Sequence, residues 1–262
     1  MSTKDLEGIE KLRSKLKGFI SDYLKEYVLQ PALELTDDPL REVRLSRCNS
    51  LNSKIAKQVL ETGTEYDKES LRTLPSNEIE ERINTLKQAI ETEASENEID
   101  AAISYLISDS SRKYLFSYLE RQLNWVIVEI YSASYISSLI QMRAIFELII
   151  GIVTRTTGGM GDRIDSISFL KTSEKTIIKK SWGRLCAWGH PYGQWIKEVC
   201  PIYVSMKPMH HPQLFDICIN ELEGIIDFLC VVAIEKFDVD CEAVFSNGDN
   251  IENFTLTQKR LA

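Results

Sequence analysis

Arg184 and His190 stand six positions apart in SWGRLCAWGHPYGQW, residues Ser181 to Trp195, a stretch that also holds three of the chain's four tryptophans and one of its three histidines. An imidazole that titrates near neutrality can take and return the proton of a 2′-hydroxyl or a leaving group. A guanidinium can hold a phosphate through paired N–H donors. The two together have the makings of an RNA-cleaving site that needs no metal or other cofactor. In an unbroken helix six residues turn through about 600°, so the side chains would point apart. Gly189 and Pro191 flank His190 and suit a helix end, where the chain can loosen and the helix dipole favours a protonated imidazole.

A second charged pair, Arg143 and Glu147, lies within QMRAIFELI at the i, i+4 spacing that puts both on one helix face. In so apolar a segment the expectation is a buried ion pair that fixes the register of the fold or orients a residue of the next helix, His190 included. From Lys171 to His211 seven bases face two acids, a net of +5, whereas from Glu61 to Asp100 twelve acids face four bases, a net of −8. A basic patch on a chain of net charge −8 can draw a polyanion to one place and repel it elsewhere, although a solvated lysine face gives the same pattern. Lys179, Lys180, Trp188 and Tyr192 are the candidate RNA contacts, with core packing the competing use of the tryptophan. Cys186, His190, Cys200, His210 and His211 could be read as a zinc site, but their spacing matches no familiar ligand pattern. The GGMG run lacks the Lys-Ser/Thr of a phosphate loop and reads as a helix terminator.

The elements that must position these groups read as helices. Twelve glycines and seven prolines in 262 residues leave long uninterrupted segments. Residues 4 to 34 place Leu6, Ile9, Leu12, Leu16, Phe19, Ile20, Tyr23, Leu24 and Val28 at three- and four-residue spacings, with Pro31 expected to kink or end the helix. Further helices are expected from Asp38-Pro39 to about Leu60, from Ser76 to Thr92, from about Ser173 to Gly189 and from about His211 to Lys236. Between Ile99 and Thr156 long helices should break near Asp109-Ser110-Ser111, and the apolar run from Tyr131 to Val153 reads as one central, buried helix. The fold class is therefore all-α: an antiparallel helical bundle over 97–240, a helical extension over 1–96 and a polar, loosely ordered tail over 241–262. The apolar cores AIFELIIGIV and GIIDFLCVVAI are short for a membrane span and carry Glu147 and Asp227. With a charged amino terminus and six cysteines that form no CxxC pair, a cytoplasmic protein without a membrane partner is expected.

LIQMRAIFELIIGIV, followed by a helix that ends in RLCAWGHPYG, resembles the HEPN superfamily over roughly residues 100 to 238. The resemblance implies a helical bundle in which an Arg, four to six variable residues and a His form the active motif, here Arg184 and His190. An acidic residue from a preceding helix, here Glu147, would support it, with Arg143 beside it. It also implies a metal-independent endoribonuclease of stress response or antiviral defence, acting as a homodimer with two Arg–His sets at one cleft. Other members are inactive binding modules, so the alternative is a sensor or binding subunit for a protein or nucleotide, including an inhibitor. The chain departs from the common toxin pattern at Leu185, where a polar residue usually follows the arginine.

Overall fold

A computed structural model describes residues 3–62, 84, 88, 109–154, 158–189, 209–240, 244–245 and 253–261. Among these the secondary structure is helical, with no strand, and the protein is all-α. The helices are α1 (Thr3–Leu24), α2 (Gln30–Thr36), α3 (Pro39–Glu61), α4 (Asp109–Tyr131), α5 (Tyr135–Val153), α6 (Met160–Asp165), α7 (Thr172–Gly189), α8 (Pro212–Phe237) and α9 (Thr255–Leu261). The helix expected over 76–92 lies outside the described residues apart from Asn84 and Gln88.

A π turn, Lys25–Leu29, joins α1 to α2 just before Pro31. Proline offers no amide to the carbonyl four residues back and crowds it, and a widened turn accommodates both defects without stopping the helix. Asp38 caps α3 by accepting from the Arg41 amide at 3.4 Å, with Pro39 in the first turn. The run from Tyr131 to Val153 is not one helix. It breaks at Ser132–Ser134, where Ala133 adopts φ 55° and Ser132 Oγ closes the end of α4 on the Val128 carbonyl at 2.6 Å. Neither glycine nor proline marks this turn.

Cross-helix contacts fix the directions. Asn52 donates to the Glu120 carbonyl and to Asn124, both at 3.2 Å, while Glu42 near the start of α3 approaches Tyr131 at the end of α4. Gln141 meets Gln122 at 2.9 Å and Ser137 meets Glu129 at 2.7 Å, so α4 runs opposite to both α3 and α5. Arg41 pairs with Asp216 and Arg44 with Glu223, and Ser138 approaches Cys218 where Phe146 approaches Phe228. Those pairs run in step, so α8 lies parallel to α3 and α5. Helices α3, α4 and α5 alternate in direction, and the circuit α3, α4, α5, α8 closes through parallel neighbours.

One buried cluster holds Leu45, Cys48, Leu51, Ile55 and Val59 of α3 together with Leu119 and Leu123 of α4, Phe146 and Ile149 of α5 and half of α8. Here the structure departs from the expected division of the chain. Helix α3 falls within 1–96 yet supplies one wall of the bundle, because its apolar stripe at three- and four-residue spacing is as complete as those of α4 and α5. The segment expected as a loose tail contains α9, which packs against α8 with Leu256 buried, and the preceding Phe254 is buried beside Phe245. Helix α5, at 19 residues, is long and apolar enough to cross a membrane, more than its short apolar core suggested, and it packs between α4, α7 and α8.

Candidate functional site

Helix α8 carries Glu221, Glu223 and Asp227, all buried within an otherwise nearly continuous apolar helix. A carboxylate taken out of water needs hydrogen bonds or an opposite charge, and each of these has found different ones. Glu221 accepts from Arg184 Nε at its Oε1, from Arg184 Nη2 at 3.2 Å and from Ser181 Oγ at 2.7 Å. Glu223 is clamped by Arg44 at 2.7 Å and Arg47 at 3.2 Å, and it also accepts from Asn253 at 3.2 Å. Asp227 accepts the amides of Leu256 and Thr257 at 2.8 Å and the Thr257 hydroxyl at 2.6 Å, so it receives the first turn of α9. Burial raises the Asp227 carboxyl above its ordinary value despite those bonds.

Two of these carboxylates, Glu223 and Asp227, border a cleft of about 360 Å³. Helix α7 contributes Ser181 and Arg184 to it, and α8 contributes Asn220, Glu223 and Asp227. Asn253 and Thr255 close one side, and Phe146, Ile178 and Phe228 form the apolar lining. Arg184 stands at this cleft with its side chain 57% exposed, whereas Glu221 behind it is 5% exposed. Its Nη1 has no hydrogen-bond partner among the described residues. A guanidinium braced from behind by a buried carboxylate and wet in front is held in one orientation while keeping N–H groups free for an incoming anion.

Glu147 is elsewhere. It pairs with Arg143 at 3.4 Å, and the two side chains are 45% and 32% exposed, so the pair expected to be buried is half in solvent. The Arg143 guanidinium lies 5.2 Å from the centre of the Trp182 ring. Burial raises the Cys186 thiol above its ordinary value, with Arg143 opposing the rise. Trp182 and Cys186 are four residues apart on one face of α7, whereas Arg184 sits about 200° around from each. The structure thus brings Glu221, not Glu147, to Arg184. His190 and Tyr192 lie outside the described residues, directly beyond the end of α7 at Gly189.

Of the candidate RNA contacts, Lys180 is exposed, and Lys179 is tied to Asp165 at 2.6 Å. Trp188 is buried in the core, which corrects its assignment as a stacking platform. Leu185, the departure from the polar pattern, is fully buried in the same core.

The other histidines serve the frame. His211 caps α8 by accepting the Leu214 amide at 3.4 Å. His210 Nδ1 meets the Tyr135 hydroxyl at 2.7 Å, and its backbone amide donates to Glu34 at 2.8 Å, which ties α2 to the start of α8. Burial, with Arg41 nearby, lowers the His210 imidazole below its ordinary value. Cys186 stands beside Arg143, and His210 beside Tyr135, eight positions or about 12 Å away along α5. One zinc ion could not take both without rearrangement, and no His/Cys/Asp/Glu group among the described residues is arranged to hold a metal.

The acids of α8 were the functional residues hardest to see in the sequence. The signal lies in NELEGIID: three carboxylates inside a helix otherwise rich in Ile, Leu, Val and Phe must be either paired or at a site. Comparison of the chain with protein-family models, with curated proteins and with solved structures found no match.

Proposed function

We propose that this protein is a metal-independent endoribonuclease of a stress or antiviral defence system. Arg184 would hold the scissile phosphate, and His190 would move the proton of the attacking 2′-hydroxyl or the leaving oxygen. The reading is carried by one observation: Arg184, an exposed guanidinium braced by the buried Glu221, stands at a cleft and six residues before His190. In the reaction the 2′-oxygen attacks phosphorus and loses its proton to a base while the 5′-oxygen leaves and gains one, so the products are a cyclic phosphate and a free 5′-hydroxyl. Glu221 and Ser181 would be positioning residues for Arg184. Exposed Lys180 on α7 supports a weak sequence-independent attraction for the RNA backbone. Two copies would bring two such sets to one cleft.

A binding module is favoured by a different observation. Nε and Nη2 of Arg184 are already engaged by Glu221, which leaves that guanidinium part of the bundle's own framework. In that reading the cleft receives a protein or nucleotide partner and nothing is cleaved.

The deciding experiment is cleavage of a labelled mixed-sequence RNA in EDTA by the full chain and by its Arg184→Ala and His190→Ala variants. Cleavage lost by about 100-fold or more in both variants, with 2′,3′-cyclic phosphate ends in the parent, sustains the nuclease. Full activity in either variant overturns the assignment, and a parent that cleaves nothing moves the conclusion to the module.

A further inference from the structure

We infer that the amino-terminal helix α1 is the half of an antiparallel two-helix coiled coil, completed by α1 of a second copy of this chain. The inference does not rest on the ribonuclease reading and uses a different surface.

From Glu10 to Tyr27 every side chain is exposed, and among the described residues this part of the chain packs only along its own helical run into the following turn. Yet Leu12, Leu16, Phe19 and Tyr23 follow a four-three-four spacing, the a and d positions of a heptad, with Ile20 beside them at e and Tyr27 following in the π turn. Phe19 is 68% exposed, and the other five expose about half of their area. Phe19, Tyr23 and Tyr27 line up along the helix, with Tyr23 and Tyr27 stacked at 4.8 Å. An isolated helix of this length is marginal in water, and the core of the bundle lends α1 no support. No other described element covers the stripe, and a second copy supplies a matching one.

The stripe is complementary to itself when reversed. Setting Leu16 against Phe19 of the second copy also sets Leu12 against Tyr23, so each layer pairs an aliphatic side chain with a ring. A parallel pair would instead stack Phe19 on Phe19 and Tyr23 on Tyr23 in single layers. The flanks agree. In the reversed pair Lys15 at g falls opposite Asp22 at g, twice by symmetry, whereas in the parallel pair Lys15 and Asp22 face Ile20 and Tyr27. The basic run of Lys11, Arg13, Lys15 and Lys17 then lies along the half that carries Asp22 and Glu26. With aromatic side chains of roughly 200 Å² each, six half-exposed residues per copy remove on the order of 1,200 Å² from water, the lower end of what stable interfaces bury.

Sedimentation velocity of the full chain at micromolar concentration tests this. The parent is expected to be a dimer. Phe19→Glu and Leu16→Glu should each weaken it by about 100-fold or more without changing thermal unfolding of the bundle, while Ser21→Glu, on the opposite face, should leave it intact. Lys15→Glu should weaken the dimer by about ten-fold, and Lys15→Glu with Asp22→Lys should restore it. A monomeric parent overturns the inference. If that monomer binds phosphatidylserine vesicles and Phe19→Glu does not, the stripe is a membrane surface. A dimer that survives Phe19→Glu and Leu16→Glu places the interface elsewhere and also overturns it. Indifference to the charge swap overturns the antiparallel register.

Discussion

Arg260 and Arg184 each grip a buried glutamate through two guanidinium nitrogens, and their surroundings differ. Arg260, 12% exposed, binds Glu174 through Nη1 and Nη2 and also donates to Glu235 and to the carbonyls of Leu256 and Phe169. All five of its N–H groups are in use. Arg184 binds Glu221 through Nε and Nη2, makes no other hydrogen bond among the described residues and is exposed at a cleft. The first arginine is a tie between α9 and α7, and nothing is left over for a ligand. The second has a comparable brace and, among the described residues, donors left unmatched. An ion pair alone therefore marks neither a site nor a strut; the number of donors left unmatched separates them.

The largest effect should come from breaking the tie. Arg260→Ala leaves Glu174 buried without its countercharge and is expected to cost about 3–5 kcal/mol. Urea or thermal unfolding of the variant would measure it, and a loss below about 1 kcal/mol would show that α9 is dispensable to the fold. The same pair gives a pH signature. Burial alone would raise the Glu174 carboxyl, but Arg260 and the Lys171 amide outweigh it and hold the group below its ordinary 4.5. A carboxylate lowered on folding stabilises above its unfolded value, and that contribution is lost as pH falls through the folded value. Glu174→Gln should flatten stability against pH in the window below about 4.5.

A smaller stability effect and a larger functional one are expected at the other arginine. Glu221→Gln keeps the shape and the Ser181 contact but removes the charge behind Arg184, at a cost of about 1–3 kcal/mol. If Arg184 works on a phosphate, RNA cleavage should fall by more than about ten-fold in this variant, with the substrate dependence shifted and the unfolding transition still cooperative. Lost stability with unchanged cleavage would make Arg184 a second Arg260.

The sequence made the helices legible because each carries a period. The ends of α3, α7 and α8 follow from Asp38-Pro39, Gly189 and His211-Pro212, signals whose physics is local. What it hid is non-local. The turn at Ser132–Ser134 has no glycine or proline, yet Ala133 takes a left-handed conformation there that residues with a side chain rarely adopt. The membership of α3 in the bundle was masked by the long acidic stretch after Glu61, which reads as a boundary although the chain returns to the same core. At the candidate site Arg184 was visible and its partner was not. The i, i+4 spacing of Arg143 and Glu147 advertises a pair, whereas nothing along the chain links position 184 to position 221.

That advertised pair supplies the smallest effect. Arg143 and Glu147 are both about a third or more exposed, so water competes for each charge, and such a pair on a helix contributes about 0.3–0.5 kcal/mol. The guanidinium over Trp182 adds roughly 0.5–1 kcal/mol at such a site. Arg143→Ala should therefore cost about 1 kcal/mol, and Glu147→Gln less, because the ring contact survives it. Raising the salt concentration should erase the Glu147 effect and leave most of the Arg143 effect, since screening acts on exposed charges more than on a cation packed against a ring. If instead Glu147→Gln abolished RNA cleavage as fully as Arg184→Ala, Glu147 would have to act across α7 from a face turned away from Arg184. The chemistry would then lie at the seam of α5 and α7, beside Trp182 and Cys186, and not at the Arg184 cleft.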